Sequence, residues 1–186
     1  MVTQEVGRLY CRARSTWKCP PQRTIQSFLG NRPLTAKPSF VLALLFTPDK
    51  RQVALMRRTR PVWQAGRVNA LGGRILDGES PSAAARREVR EESGVDVKEW
   101  AEVLVWDDAE YRMHVMRAVS ELARAARTME DQEVFLADVR SLPASAIDNL
   151  RWLVPLALDA DVALPVAVRS AAAEGSGLTE RDRERG

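Results

Sequence analysis

Residues 73–95 of this chain read GRILDGESPSAAARREVREESGV. Within this stretch Ser80 is a residue type that caps the free N–H groups at a helix start, and the proline after it loses no hydrogen bond at the first helical position. Three alanines then favour propagation of the helix, and Gly94 is the residue type expected just past a helix C-terminus. The stretch therefore predicts a loop over residues 73–79 followed by a helix over residues 81–93.

Three acidic residues share one face of this predicted helix. Glu88, Glu91 and Glu92 stand at positions i, i+3 and i+4. The arrangement is locally unfavourable, because the carboxylates repel one another and lie near the negative end of the helix dipole, and a bound cation removes both penalties. With no Cys or His nearby, these oxygen ligands suit Mg²⁺ or Mn²⁺. The alternative is a solvated helix whose glutamates are neutralised by neighbouring arginines. The Gly72-Gly73 pair and Glu79 would serve no purpose there, so their spacing favours the metal site.

The residues fit the pattern G-x5-E-x7-R-E-U-x-E-E-x-G-U, where U is apolar. This pattern resembles the box of the Nudix hydrolases, and residues 73–95 are called the box below. The resemblance implies an α/β fold: an α/β/α sandwich with a mixed β-sheet between helices, in which the box forms a loop–helix–loop. It also implies metal-dependent hydrolysis of a nucleoside diphosphate that is joined to another group.

The resemblance assigns roles to individual box residues. The metal ligands that it implies are Gly73, through its carbonyl, and Glu88, Glu91 and Glu92. Arg87 holds a glutamate in place, Glu79 is its partner across the loop, and Gly94 is structural. Either Glu88 or Glu91 activates the attacking water, so the catalytic set is Arg87, Glu88 and Glu91. Bound metal ions would clamp the phosphates and lower the pKa of the bound water.

Residues around the box resemble one subgroup, the MutT-type enzymes, and in particular the 8-oxo-dGTP diphosphatases. Asn69 lies four residues before the box glycine, where that subgroup places an asparagine that reads the base. Asp148-Asn149, followed by Trp152 and a proline, resembles the segment with its acidic base-reading residues, although Asn149 replaces the second acid. The candidate substrate-binding residues are therefore Asn69, Gly72, Asp148, Asn149 and Trp152.

Three further features have open interpretations. Glu133 falls where many relatives place another metal-binding glutamate on a later loop, but an exposed loop acid is the alternative. The basic segment Arg57-Arg58-Thr59-Arg60 suits phosphate oxygens and equally suits a solvated surface. Trp63, Trp106 and Trp152 are candidates for stacking on a base, although aromatic residues more often pack into a core.

The rest of the chain fits one small domain over residues 38–160. Apolar runs of about five to eight residues predict buried strands and are too short to cross a membrane. The predicted strands are residues 40–46, 52–56, 102–106, 112–119 and 133–138. A helix at about residues 144–158 follows, with a possible kink at Pro155.

The two ends differ from this body in composition. Residues 1–37 contain seven Lys and Arg against the single acid Glu5, a charge of +6, so the total of +3 leaves −3 for the remainder. The basic balance therefore belongs to this segment and does not favour binding of a nucleic-acid polymer. Residues 1–37 are expected to be a disordered extension, a targeting segment or the product of a start assigned too early. Both cysteines lie there without metal-ligand spacing, which favours a reduced cytoplasmic setting. Residues 161–186 are expected to be a flexible tail.

The expected reaction is Mg²⁺-dependent conversion of a nucleoside triphosphate, with an oxidised purine as one candidate base, into the monophosphate and pyrophosphate. The expected partner is a small nucleotide, and the expected assembly is a monomer or a homodimer. One alternative is a dinucleoside polyphosphate hydrolase, a subgroup that tends to have a Tyr where Tyr111 falls, sixteen residues after Val95. The other is a nucleotide sensor without turnover, which the complete set of box glutamates disfavours.

Overall fold

A computed structural model of the chain describes residues 37–169. The elements in this range are β1 (Ser39–Phe46), β2 (Gln52–Arg57), β3 (Val68–Ala70), α1 (Pro81–Ser93), β4 (Ala101–Asp107), β5 (Arg112–Val119), β6 (Val134–Asp138), α2 (Leu150–Leu158) and β7 (Val166–Arg169), with short 3-10 helices at Val62–Gln64 and Glu121–Ala125. The basic segment up to residue 36 and the chain beyond residue 169 lie outside the described residues.

The strands form one mixed sheet with the order β3-β2-β1-β5-β4-β7, and β6 also pairs with β2. β1 runs parallel to β5 and β4 runs parallel to β7, whereas the other pairs are antiparallel. The central strand β1 is a continuous apolar run, as expected for a strand that is covered on both faces. The predicted mixed sheet is confirmed.

Each face of the sheet carries one helix and one core. Side chains alternate along β1, so that Leu42, Leu44 and Phe46 join the core beneath α2. The residues between them, including Val41 and Ala43, join the core beneath α1. The sheet therefore lies between two helical layers, and the predicted α/β/α sandwich is confirmed.

The box begins where β1 and β2 separate. These strands pair only at Leu45↔Ala54 and Phe46↔Val53. Beyond that point the chain around residues 68–74 fills the gap: β3 pairs with β2, and the Val41 N–H donates to the Gly73 carbonyl over 2.9 Å. The first box glycine is thus fixed to the central strand by main-chain hydrogen bonds.

α1 matches the predicted box helix. The Ser80 hydroxyl accepts a hydrogen bond from the Ala83 N–H over 3.2 Å, and Pro81 occupies the first helical position. Gly94 ends the helix with a left-handed φ of 76°. That backbone conformation carries no steric cost for glycine, which explains the residue type at this position.

Two predictions near the C-terminus are wrong in part. α2 begins at Leu150 and not at residue 144, because residues 145–147 run extended along the free edge of β3. The Val68 N–H donates to the Ser145 carbonyl and the Ile147 N–H donates to the Val68 carbonyl, both over 2.9 Å. These bonds satisfy main-chain groups that the edge of β3 would otherwise leave unpaired. The predicted flexible tail is also wrong for Val166–Arg169, which pair with β4 as β7.

Within residues 37–169, neither helix combines the length and the apolar character that a membrane span requires.

Candidate metal and diphosphate site

The loop at the start of the box lies directly against α1. A Cβ atom built on Gly73 would lie 2.5 Å from the carboxylate atoms of Glu88, which is closer than real side chains approach. A side chain at residue 73 would therefore push the Glu88 carboxylate out of this position. Because Gly73 is also bonded to β1, the lack of a side chain here lets the acidic face of the helix lie close to the sheet.

Arg87 connects the box loop to the acidic face of α1. Its Nε and Nη2 atoms donate to the two carboxylate oxygens of Glu79, each over 2.9 Å. Nη1 donates to Glu88 over 2.7 Å and to Glu91 over 3.3 Å, and Nη2 also donates to the Arg74 carbonyl over 3.0 Å. This fork of hydrogen bonds to a carboxylate is a geometry that only arginine provides. It raises the pKa of Arg87 and lowers the pKa of Glu79.

Glu92 is the most deeply placed of the three box acids, with a relative exposure of 7%. Its Oε2 accepts a hydrogen bond from the Gly72 N–H over 2.9 Å, and its Oε1 lies 3.9 Å from Nη1 of Arg58. Burial raises the pKa of Glu92 to about 7, and the negative charges of Glu88 and Glu130 act in the same direction. The hydrogen bond from Gly72 and the positive charge of Arg58 only partly oppose this rise.

The negative charge of Glu88 is also only partly balanced by its neighbours. Burial raises its pKa, although the hydrogen bond and the charge of Arg87 oppose the shift. Glu91 is more accessible, with 46% of its side chain exposed. One buried carboxylate, Glu92, and one half-buried carboxylate, Glu88, therefore carry charge that neighbouring cations balance incompletely, and hard oxygen donors of this kind suit Mg²⁺ or Mn²⁺. The residues fit a divalent cation by this criterion.

The carboxylates of Glu88 and Glu91 both accept hydrogen bonds from Arg87. Over residues 37–169, no three acidic, histidine or cysteine side chains converge in an arrangement that could hold a metal ion. Arg87 supplies the counter-charge for Glu88 and Glu91 instead. The Gly73 carbonyl accepts its hydrogen bond from Val41 and has a second lone pair for another partner.

The structure does not bring Glu133 to the box acids. Its Oε2 accepts a hydrogen bond from Arg57 Nε over 2.9 Å, and 61% of its side chain is exposed. Residues of β6 alternate between the two cores, and Phe135, two residues after Glu133, packs on the α2 side. The acid of this loop that acts on Glu92 is Glu130, which the sequence analysis missed. Glu130 is placed near Glu92 by a contact between loop and helix, because the N–H of the preceding residue, Met129, donates to the Glu92 carbonyl over 3.3 Å.

Two of the predicted base-reading residues, Asp148 and Asn149, follow directly after the segment whose Ala146 bridges Val68 of β3. Asn69 lies in β3 between Val68 and Ala70, which pack on the α2 side, so its side chain belongs to the other face of the sheet. The Asn69 Oδ1 accepts a hydrogen bond from the Ala70 N–H over 2.8 Å, which leaves its amide NH₂ group to donate to another partner. Asp148 is 88% exposed in its side chain and lies 3.8 Å from Nη2 of Arg67.

Asn149 is buried at the start of α2, and its side chain makes no capping hydrogen bond. Its Oδ1 has no hydrogen-bond partner in the part of the chain that the structure describes. Such an acceptor is uncommon in a folded protein, because desolvation without a partner costs about 1–3 kcal/mol. Trp152, one helical turn further on, packs on Trp106 with ring centroids 6.1 Å apart. Gly72, predicted to contact substrate, uses its N–H to hold Glu92.

A family model described as the NUDIX domain matches residues 37–161. The chain belongs to this family. The match covers strands β1 to β6, the box and α2, so the resemblance carried by the box extends over most of the chain. Among curated protein sequences, none gives a significant match.

Solved structures with the same fold include two MutT proteins. One, from work on Aliivibrio salmonicida and Vibrio cholerae, is 19% identical, with a TM-score of 0.54 over 64% of this chain and 98% of that chain. The other, a MutT NUDIX hydrolase from Burkholderia pseudomallei, is also 19% identical, with a TM-score of 0.55 over 66% of this chain and 98% of that chain. The NUDIX domain of Shewanella oneidensis NrtR, solved with ADP ribose, is 20% identical, with a TM-score of 0.55 over 74% of this chain and 97% of that chain. At these identities the likeness establishes the Nudix fold.

Proposed function

We propose that this Nudix hydrolase converts purine nucleoside triphosphates into nucleoside monophosphates and pyrophosphate, with Mg²⁺ or Mn²⁺ as cofactor. The observation that supports the reaction is the pair of incompletely compensated acids, the half-buried Glu88 and the buried Glu92, against the Gly72-Gly73 loop. The observation that supports a polar base such as a purine is the unpartnered Oδ1 of Asn149 next to the segment that flanks Asn69.

The metal ligands in this proposal are Glu88, Glu91, Glu92 and the Gly73 carbonyl. When bound, the cation neutralises the phosphate oxygens and lowers the pKa of an attacking water. Glu133, whose carboxylate accepts a hydrogen bond from Arg57 Nε, stays a predicted further ligand. Arg87 fixes the direction of the Glu88 and Glu91 side chains and ties them to the loop through Glu79.

The chemical step adds water across the bridge between the α- and β-phosphates. A new P–O bond forms, the bridging P–O bond breaks, and the proton of the water passes to a carboxylate. Glu88 and Glu91 are both candidates for this proton, and the choice between them stays open. Glu88 has the raised pKa that brings a carboxylate closer to neutral operating conditions. Glu91 has the freer side chain.

We assign base recognition to Asn69, Asp148 and Asn149, and the bridge between Val68 and Ala146, which brings their two segments to one edge of the sheet, supports this assignment. The Asn69 amide can donate to a purine oxygen, and the Asn149 Oδ1 can accept from a ring N–H or an amino group. Trp152 and Trp106 form an aromatic wall on the α2 side of the sheet. Clearance of damaged or surplus nucleotides, a cytoplasmic setting and a monomeric or homodimeric state remain predictions.

The test is a substrate panel with Mg²⁺. It comprises standard and 8-oxo nucleoside triphosphates, diadenosine polyphosphates, ADP-ribose and NADH, with pyrophosphate distinguished from orthophosphate. We expect a purine triphosphate to give the highest kcat/KM and to release pyrophosphate. A dinucleotide that turns over far faster than every triphosphate would show that the substrate class is wrong. The complete absence of turnover, with nucleotide binding retained, would favour a sensor.

Asn69→Ala tests the base site separately from the diphosphate site. We expect KM for the preferred purine to rise about tenfold or the preference between bases to disappear, because a lost polar contact removes discrimination. Leu122→Ala is the control, since Leu122 lies in the 3-10 helix Glu121–Ala125 with 45% exposure. An Asn69→Ala variant with an unchanged preference would remove this residue from the base site.

A further inference from the structure

Three arginines, Arg57, Arg58 and Arg60, lie at and directly after the end of β2, and they differ in burial and in their partners. Arg57 donates to Glu133 over 2.9 Å, and Arg60 donates to Asp131 over 3.3 Å. Both arginines are substantially exposed, with 44% and 67% of their side chains accessible. Each is therefore a surface residue with its own acid, and neither has donors held ready in a buried position.

Arg58 differs from its neighbours in burial and in pairing. Only 19% of its side chain is exposed, and its single acidic neighbour among the described residues is Glu92, at 3.9 Å. That separation is beyond hydrogen-bond distance. Its Nε is buried and has no hydrogen-bond partner within residues 37–169. The side chain is thus half-buried, and its Nε is a buried donor without a partner within residues 37–169.

The main chain holds Arg58 firmly in this position. Its N–H donates to the Arg67 carbonyl and its carbonyl accepts from the Gly66 N–H, both over 2.8 Å. Arg58 follows directly after β2, and its Nη1 lies 3.9 Å from Oε1 of Glu92 on α1. The side chain therefore extends from a fixed backbone towards the acidic face of α1.

A buried guanidinium Nε without a partner favours an anion nearby, since desolvation without a partner is costly. Glu92 cannot fill this role in the working protein if it binds a metal ion, as the proposed function requires. We propose that Arg58 binds non-bridging oxygens of the substrate's diphosphate group. The planar fork of arginine matches two phosphate oxygens, and the fixed backbone limits the entropy lost on binding. This assignment rests on the proposed function and names the residue that recognises the diphosphate.

The experiment measures binding of inorganic pyrophosphate in the presence of Mg²⁺ by calorimetry. We expect Arg58→Gln to weaken binding roughly ten- to hundredfold, because hydrogen bonds between charged groups are lost. Arg58→Lys should weaken binding less, since lysine keeps the charge without the fork. Arg60→Gln is the matched control and should bind pyrophosphate as the wild type does. Equal affinities of the Arg58→Gln and Arg60→Gln proteins would overturn the assignment.

A second measurement distinguishes phosphate binding from an action through Glu92. Mn²⁺ affinity is measured without pyrophosphate. Removal of a positive charge near a metal ligand should leave Mn²⁺ affinity unchanged or increase it, so Arg58→Gln is expected to lose pyrophosphate affinity alone. A parallel loss of Mn²⁺ affinity would mean that Arg58 only positions Glu92, and it would refute direct phosphate binding. Circular dichroism and thermal unfolding establish that each variant is folded, and Arg58→Lys carries the test if the glutamine variant is not.

The two proposals fail in different ways. A wild-type protein that binds pyrophosphate through Arg58 but hydrolyses no nucleotide in the panel contradicts the proposed function and supports the Arg58 assignment. A wild-type protein that hydrolyses a triphosphate, with the same KM in the Arg58→Gln variant, supports the proposed function and contradicts the Arg58 assignment.

Discussion

Glu92→Gln should stabilise the protein when no metal is present. In the folded protein burial raises the pKa of Glu92 from 4.5 to about 7. Each pKa unit corresponds to 1.36 kcal/mol, so the ionised carboxylate destabilises the fold by about 3 kcal/mol above neutral pH. Glutamine has nearly the same shape and keeps an oxygen for the Gly72 N–H, but it carries no charge to desolvate.

The effect must depend on pH in a defined direction. Because the folded-state pKa lies above the unfolded value, the folded protein binds the extra proton as pH falls from about 7 to 4.5. The wild type should therefore gain stability relative to the variant over this window. The difference between the two proteins should be fully present at pH 8 and nearly absent at pH 4.5.

Thermal unfolding in EDTA at several pH values measures this difference. For a domain of this size, about 3 kcal/mol corresponds to a Tm difference of roughly 5–10 °C in favour of the variant at pH 8. Addition of Mg²⁺ should reverse the order, because the cation binds the folded wild type and raises its stability by mass action. The variant should also lose most of its turnover. An EDTA-treated variant that is less stable than the wild type at pH 8 would refute the reasoning.

Two further substitutions test the packing of the box. Gly73→Ala should lower kcat at least tenfold, because a Cβ at residue 73 meets the Glu88 carboxylate at 2.5 Å. Gly78→Asn is the control and should leave kcat nearly unchanged, because a Cβ at residue 78 meets nothing within 4 Å. Full activity in the alanine variant would contradict the close contact at residue 73. Arg87→Lys should lower the free energy of unfolding by about 1–3 kcal/mol in urea denaturation and reduce kcat, because lysine cannot reproduce the fork to Glu79. Unchanged stability of the lysine variant would mean that the network is too solvated to matter.

Local interactions made the box predictable from the sequence. Ser80, Pro81 and Gly94 determine the ends of α1 through bonds and backbone angles within a few residues. The spacing of Glu88, Glu91 and Glu92 determines a shared helical face without reference to the rest of the protein. The central strand β1 was predictable for a similar reason, because an uninterrupted apolar run has few alternatives to a buried strand.

The interactions that only the tertiary structure decided join residues far apart in the chain. The start of α2 shifts to Leu150 because the segment before it completes the edge of β3, and β7 forms because β4 offers it an open edge. Their sequences contain no signal for these partners. The sequence could not show which acid of the loop before β6, Glu130 or Glu133, acts on Glu92. That depends on which of the two faces α1 after β6 has paired with β2.

The sequence by itself determined the family, the acidic helix and the kind of chemistry, since these depend on residue type and on spacing within one helix. The tertiary structure alone decided which charges are compensated. Glu92 and the Nε of Arg58 are buried, and the two side chains lie close together but beyond hydrogen-bond distance. The Asn149 Oδ1 has no partner among the described residues. Compensation depends on burial and on distances between side chains from separate elements, and the order of residues along a chain does not encode these directly.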